Sequence, residues 1–455
     1  MKKLKALLVA VVLVIAGIPL VPSVVRAGIV NDVSYIDPTS SQPDKTCTTA
    51  TVVTGTDTAW GTEGGNAWYV VNSNVRANSN RITVKGTVNL ILCDGNDMYA
   101  NKGITVNEGN TLNIFCQTER TGILSITLPS NIDGVNLTGI GGFEDNNAGA
   151  ITINGGVITV KGGNGAAGIG GTFSKSAGTI TINGGNITAT GGGNAAGIGG
   201  GDSGSGGEIT ITGGTVSATG GSGGAGIGGG FGGDGGNVTI HGGTVTATGN
   251  DGGAGIGGGS GGNGGDGGYV TIHDGTVTAI AQDGGAGIGG GFGVLGNGGY
   301  VTVNGGTVTA IGGQKDGIEG MGIGASDVNV ELNMGTLNLG AGVELYEGDS
   351  ADPAFKLGTG PMEYTGFRPR YMMAIKAVSD LPPMSIDKTI SVGEKVTFKV
   401  KKKPASMEGF VPGEVVSVKV KGKKVIVKGV SAGTVTVMAY NKKGKELGSW
   451  VVKVE

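Results

Sequence analysis

The sequence predicts an all-β chain built on a right-handed parallel β-helix, with three short strands per coil of about 29 residues, followed by a smaller β-rich module. Three observations predict it. An isoleucine in a Gly-Ile-Gly-Gly-like core recurs at Ile140, Ile169, Ile198, Ile227, Ile256, Ile288 and Ile323, in steps of 29 residues that lengthen to 32 and 35 at the end. The flanking segments keep step: TITINGG, EITITGG and NVTIHGG form one series, and NITATGG, TVSATGG and TVTATGN the next. Glycine supplies 100 of 455 residues, and no proline falls between Pro129 and Pro353, which suits stacked strands separated by sharp corners.

Taken in chain order, Lys2, Lys3 and Lys5 precede the apolar run ALLVAVVLVIAGIPLV, and Val25-Arg26-Ala27 offers a cleavage site. Residues 1–27 therefore read as a signal peptide, and the mature chain is expected to carry no transmembrane segment. Residues 28–66 are a mixed, polar N-terminal lead-in. The Gly-rich β-helix is expected over 67–345, with irregular capping coils over 67–137 and a last coil near 327–345. Inside each repeat the period is two: Ile209 and Ile211 oppose Thr210, while Val245 and Ala247 oppose Thr244, Thr246 and Thr248. No repeat can bury that apolar row alone, so roughly ten coils stacked at ~4.8 Å are expected to share one core. A connector spans 346–384, and residues 385–455 turn to short alternating strands with Lys-rich turns.

The glycines also imitate a cofactor loop. Residues 253–258, GAGIGG, match G-x-G-x-x-G, but the match recurs at 224–229 and 285–290 and no helical pattern follows any copy. They are corners of a coil rather than a phosphate cradle.

The net charge of −3 hides two opposite halves. Residues 28–384 carry 13 Lys/Arg against 29 acids, and residues 385–455 carry 15 Lys against six acids. An acidic solenoid disfavours nucleic acid. Three cysteines, Cys47, Cys93 and Cys116, leave at least one thiol unpaired, and the pairing of Cys93 with Cys116 is left open by the sequence.

Two stretches resemble known families. SVGEKVTFKV (391–400) and VIVKGVSAGTVTVMAY (425–440) resemble the bacterial Ig-like domain, group 2, which implies a small Ig-like β-sandwich over 385–455 and a structural or adhesive role at a bacterial surface. PGEVVSVKV stands where that family has an SSNPSVATV-type middle. RITVKGTVNLILCDG, GITVNEGNTLNIFCQ and the repeated AAGIGG and ITINGG units look like the carbohydrate-binding β-helix proteins of anaerobic Gram-positive bacteria. That resemblance implies a secreted surface protein, with calcium-assisted binding of acidic polysaccharide in some relatives, and carries over no binding residue.

Candidate sites follow from equivalent positions in neighbouring repeats. Tyr269 and Tyr300, with Thr271 and Thr302 on the same outward face, form a candidate sugar platform. Asp251 and Asp283 share another position and form a candidate Ca²⁺ pair, because paired carboxylates near backbone carbonyls suit that ion. His241 and His273 occupy a column otherwise held by Asn154, Asn183, Thr212 and Asn304, so a polar ladder is the expectation and a metal the alternative. The Thr rows, such as Thr244/Thr246/Thr248, suit any solvent-facing strand. No catalytic residue is assigned: between 140 and 330 the basic residues are Lys161, Lys175 and Lys315, and none coincides with the aspartate pair.

The expected protein is a secreted, cell-surface-associated, non-catalytic β-helix that binds polysaccharide or a cell-wall polymer, with calcium as the admissible cofactor. The alternatives are a structural spacer or adhesin with a protein partner and a degenerate polysaccharide lyase. No LPxTG-type sorting motif is present, so covalent wall anchoring is not expected.

Overall fold

The computed structural model describes residues 28–128, 136–293, 296–315, 318–325 and 335–341, with shorter stretches from 343 to 454. Residues 1–27, expected to be a signal peptide, and residues 326–334 of the expected last coil lie outside the described residues. The chain divides into two compact units between Ala377 and Val378.

The first unit is a parallel β-helix with three rows of strands. The first row consists of Ile-Gly pairs, Ile169–Gly170, Ile198–Gly199, Ile227–Gly228 and onward, each in register with its counterpart one coil away. The second row runs through Thr179–Ile182, Glu208–Ile211 and Asn237–Ile240, and the third through Asn186–Thr190, Thr215–Thr219 and Thr244–Thr248. Register is exact along both: Ile180 faces Ile209, and Val216 faces Val245. The alternation in sequence sets this register, since a one-residue slip would turn every isoleucine to solvent.

One continuous core results. Ile198, Ile209, Ile211 and Val216 of neighbouring segments are at most 1% exposed, and their equivalents repeat along the stack. Burying each such side chain contributes ~1.5–3 kcal/mol. The close approach of coils at the first row depends on glycine. Gly199 has φ +143°, and a Cβ placed there would sit 1.9 Å from the Gly228 carbonyl oxygen. The first row is two residues long because that glycine turns the chain away at once.

Both ends are closed by other means. Strands Ile29–Ile36 and Asp44–Val52 pair antiparallel as a hairpin, within the expected lead-in. The hairpin forms a second apolar cluster outside the bore, in which Tyr35 packs against Trp68 and Phe115 at centroid distances of 4.8 and 4.9 Å. The strand Ala59–Val71 already belongs to the coil, with Trp60 fully buried and a register shift between Gly61 and Asn66. Coil structure thus begins before residue 67, because Trp60 fills the bore where later coils use isoleucine. In the expected connector, Met362–Thr365 pairs antiparallel with Thr336–Leu339, and Met372–Ala377 with Thr307–Ile311. These strands occupy edges that would otherwise remain open for pairing.

Arg81 fastens the first coils. Its guanidinium donates to Thr105 Oγ1, the Lys102 and Thr138 carbonyls, the Ile104 carbonyl and Thr138 Oγ1, at 2.6 to 3.3 Å. Burial pushes its pKa down to about 9, which leaves it charged at neutral pH.

The three cysteines are free and buried. Leu92 is the register partner of Cys116, so Cys93 and Cys116 do lie at the ends of adjacent strands. Burial pushes all three thiols up, Cys93 to about 11 with help from Asp94. Thiol reagents at pH 8 are therefore expected to spare the native protein and to label three groups in denaturant. Labelling of the native protein within minutes would contradict that burial. A thiol whose folded pKa is raised holds its proton longer than in the unfolded chain. Its contribution is complete below the unfolded value near 9 and is lost as pH rises toward about 11. Cys93→Ala is expected to flatten the alkaline fall of stability in that window, measured by urea unfolding.

The second unit contains two sheets among the described residues. Lys388–Ile390, Glu446–Val454, Gly433–Tyr440 and Ser406–Glu408 form one, and Lys395–Lys399, Lys424–Gly429 and Val416–Lys421 the other. Val425 and Val427 are fully buried there.

Candidate functional site

Each second-row strand opens with an outward-facing residue, and that column changes chemistry along the stack. It reads Ala150, Thr179, Glu208, Asn237, Tyr269 and Tyr300, each in register with the next. Over its first part the column borders a groove of about 500 Å³ lined by Glu108, Asn147, Ser176, Thr179, Glu208 and Asn237 among others. The groove ends at Asn237, whose register partner on the next coil is Tyr269.

The two tyrosines stack with ring centroids 5.1 Å apart and planes 7° from parallel. They are 59% and 50% exposed, so the stack is laid on the surface rather than into the core. Thr271 and Thr302 are register partners on the same face, and both are half-buried. The four residues singled out from the sequence are therefore brought together.

The loop before each second-row strand carries a polar ladder. Asp234 Oδ1 accepts from the Asp266 backbone N–H at 3.0 Å, and Asp266 Oδ1 accepts from Asn297 N and Nδ2 at 3.0 and 2.8 Å. Asn237 Nδ2 donates to Glu208 Oε1 at 2.6 Å. Groove and platform together present donors, acceptors and apolar ring faces, the combination that a sugar with hydroxyl edges and C–H faces requires.

Asp251 and Asp283 stand at equivalent turn positions with φ of +44° and +56°. Aspartate tolerates that left-handed conformation better than most residues, which explains the pair without an ion. Calcium takes 6–8 oxygen ligands. Among the described residues no group of three or more His, Cys, Asp or Glu side chains is placed to hold a metal, so no third acid joins this pair.

His241 and His273 stack at 4.6 Å with planes 2° apart, and Asn304 Nδ2 lies 3.3 Å from His273 Nδ1. Earlier in the column Asn183 Nδ2 donates to Asn154 Oδ1 at 2.9 Å, and Thr212 Oγ1 donates to Asn183 Oδ1 at 2.8 Å. The column is the polar ladder that its composition implied.

The groove residues Glu108, Asn147 and Glu208 were not among the sequence candidates. Glu208 was findable as the residue at the tyrosine position two coils earlier. Asn147 was findable too, standing 29 residues before Ser176 at the same loop position, whereas Glu108 sits in a loop of irregular length where the repeat gives no guide.

Fold and surface define a glycine-cornered parallel β-helix repeat protein. Residues 151–173, 180–202, 209–231, 238–260, 270–292 and 301–327 match the family described as a beta helix repeat. No curated protein and no solved structure matches the chain significantly.

Proposed function

We propose that the protein is an exported, non-catalytic bacterial surface protein that binds polysaccharide along the second-row edge of its β-helix. The stacked, solvent-facing Tyr269/Tyr300 pair at the end of a polar groove carries this reading, since rings 59% and 50% exposed offer an apolar face to a sugar beside the donors and acceptors of the groove. Lys2, Lys3 and Lys5 ahead of the apolar run, with the small residues of Val25-Arg26-Ala27 after it, support export, and no helix among the described residues is long and apolar enough to cross a membrane. Residues 385–455 are taken as a bacterial Ig-like domain on their sequence resemblance, and their excess of Lys over acids suits retention at an anionic envelope polymer.

Co-sedimentation of the full chain with insoluble plant and bacterial polysaccharides, with calcium and with EDTA, tests the reading. Tyr269→Ala/Tyr300→Ala is expected to weaken retention about tenfold while leaving the melting temperature unchanged. Retention on no polysaccharide would sink the reading and leave a structural rod with a protein partner as the better account.

A further inference from the structure

A second aromatic line runs along the β-helix at the start of the loop that follows the first row. Four residues beyond the row's isoleucine, successive coils place Phe173, Asp202, Phe231, Ser260 and Phe292. Aromatic and polar residues thus alternate, with a ring every second coil. Phe173 and Phe231 are 47% and 38% exposed, and Phe292 is half-buried.

The rings are seated, not dangling. A Cβ on Gly223 would come 2.6 Å from Phe231 Cδ2, one on Gly284 would come 2.8 Å from Phe292 Cδ2, and one on Gly165 would come 3.6 Å from Phe173 Cδ2. Each ring therefore lies against the glycine that precedes the first row of its own coil, and Phe173 and Phe231 remain exposed there. At the Asp202 coil the seat changes with the occupant: Asn194 stands in place of glycine, and its Nδ2 donates to Asp202 Oδ2 at 2.9 Å, whereas at the Ser260 coil the seat remains Gly252. The glycine seats thus hold the rings, and the Asn194 bond fixes Asp202 between two of them. The backbone agrees, since Phe231 N donates to the Asn194 carbonyl at 2.7 Å and Phe292 N to the Gly252 carbonyl at 2.7 Å.

We infer that this strip binds an extended, electrically neutral β-1,4-linked glycan lying along the β-helix axis, an inference that rests on the polysaccharide-binding reading above. In such a ribbon each sugar is turned half a turn from the last, so the same face recurs every second sugar. One sugar advances by about one strand spacing, ~4.8 Å, so every second sugar meets a ring. Between Phe173 and Phe231 the intervening sugar meets the half-buried Asp202, and between Phe231 and Phe292 it passes over Ser260, which is buried. Ring faces take the C–H faces of sugars, and the Asp202 carboxylate takes a hydroxyl. The charge of the surface selects against a polyanion: between residues 140 and 330 only Lys161, Lys175 and Lys315 are basic, while Glu208, Asp234, Asp266 and other acids repel it.

The test is co-sedimentation of the full chain, in EDTA, with amorphous cellulose as the neutral ribbon and polygalacturonate coupled covalently to beads as the acidic polymer. Wild type is expected on cellulose in low and high salt, and Phe173→Leu/Phe231→Leu/Phe292→Leu is expected to lose at least tenfold in retention there. Any retention on the acidic polymer through the Lys-rich residues 385–455 is expected to vanish in high salt and to be the same in both proteins. Leucine keeps an apolar group in each seat, and an unchanged melting temperature confirms the fold. Retention of the Leu variant equal to wild type overturns the strip but leaves the Tyr269/Tyr300 site standing. Retention of wild type on polygalacturonate in high salt, with none on cellulose, overturns the neutral ligand alone. Failure of wild type on every polysaccharide overturns this inference together with the reading it rests on.

Discussion

Gly228→Ala is expected to disrupt the β-helix, lowering its resistance to urea by the equivalent of ~4 kcal/mol or more. Gly228 has φ +133°, a region that L side chains rarely adopt. An added Cβ would also lie 2.1 Å from the Gly257 carbonyl oxygen. That oxygen belongs to the backbone of the next coil and accepts from Gly229 N at 2.9 Å, so it cannot retreat without breaking the stack. Conformation and space fail together. The damage should also spread, because each coil is stabilised by its neighbours. Gly262→Ala is the matched control: nothing lies within 4 Å of its Cβ position, and the change should stay within ~0.5 kcal/mol of wild type. Equal urea midpoints for the two variants would refute this account of the corners.

Arg81→Met is expected to cost ~3–5 kcal/mol, measured in the same way. Methionine fills similar volume but donates nothing to the Lys102, Ile104 and Thr138 carbonyls, and each buried acceptor left bare costs ~1–3 kcal/mol. Arg76→Met offers the contrast. Arg76 pairs with Asp97 at 3.1 Å, but its side chain is 50% exposed, so its loss should cost less than ~1 kcal/mol. A loss at Arg81 no larger than at Arg76 would mean that the first coils close without this anchor.

The two variants separate what is local from what is assembled. The corner glycines were legible because the same Ile-Gly unit returns at a fixed period, and the alternation in TITI and TVTAT names the buried face directly. The tyrosine pair was legible for the same reason: equivalent positions in neighbouring repeats must stack. Arg81 offers no such clue. Its partners lie at 102–105 and 138, across loops that share no period, and only folding brings five acceptors to one guanidinium.

The phenylalanine strip lies between these cases. Its residues sit at a repeated position, yet they alternate with a two-coil period that a single-repeat comparison averages away. The seat beneath each ring is eight residues earlier in the chain, on the other side of the first row.

By itself, then, the sequence determined the three-row coil, its register and its glycine corners, because those depend on interactions between a residue and its own copy one repeat on. The tertiary structure alone decided how the ends are closed, where the groove runs and which outward residues become a line of rings. Those depend on contacts between segments of different sequence, and no periodicity encodes them.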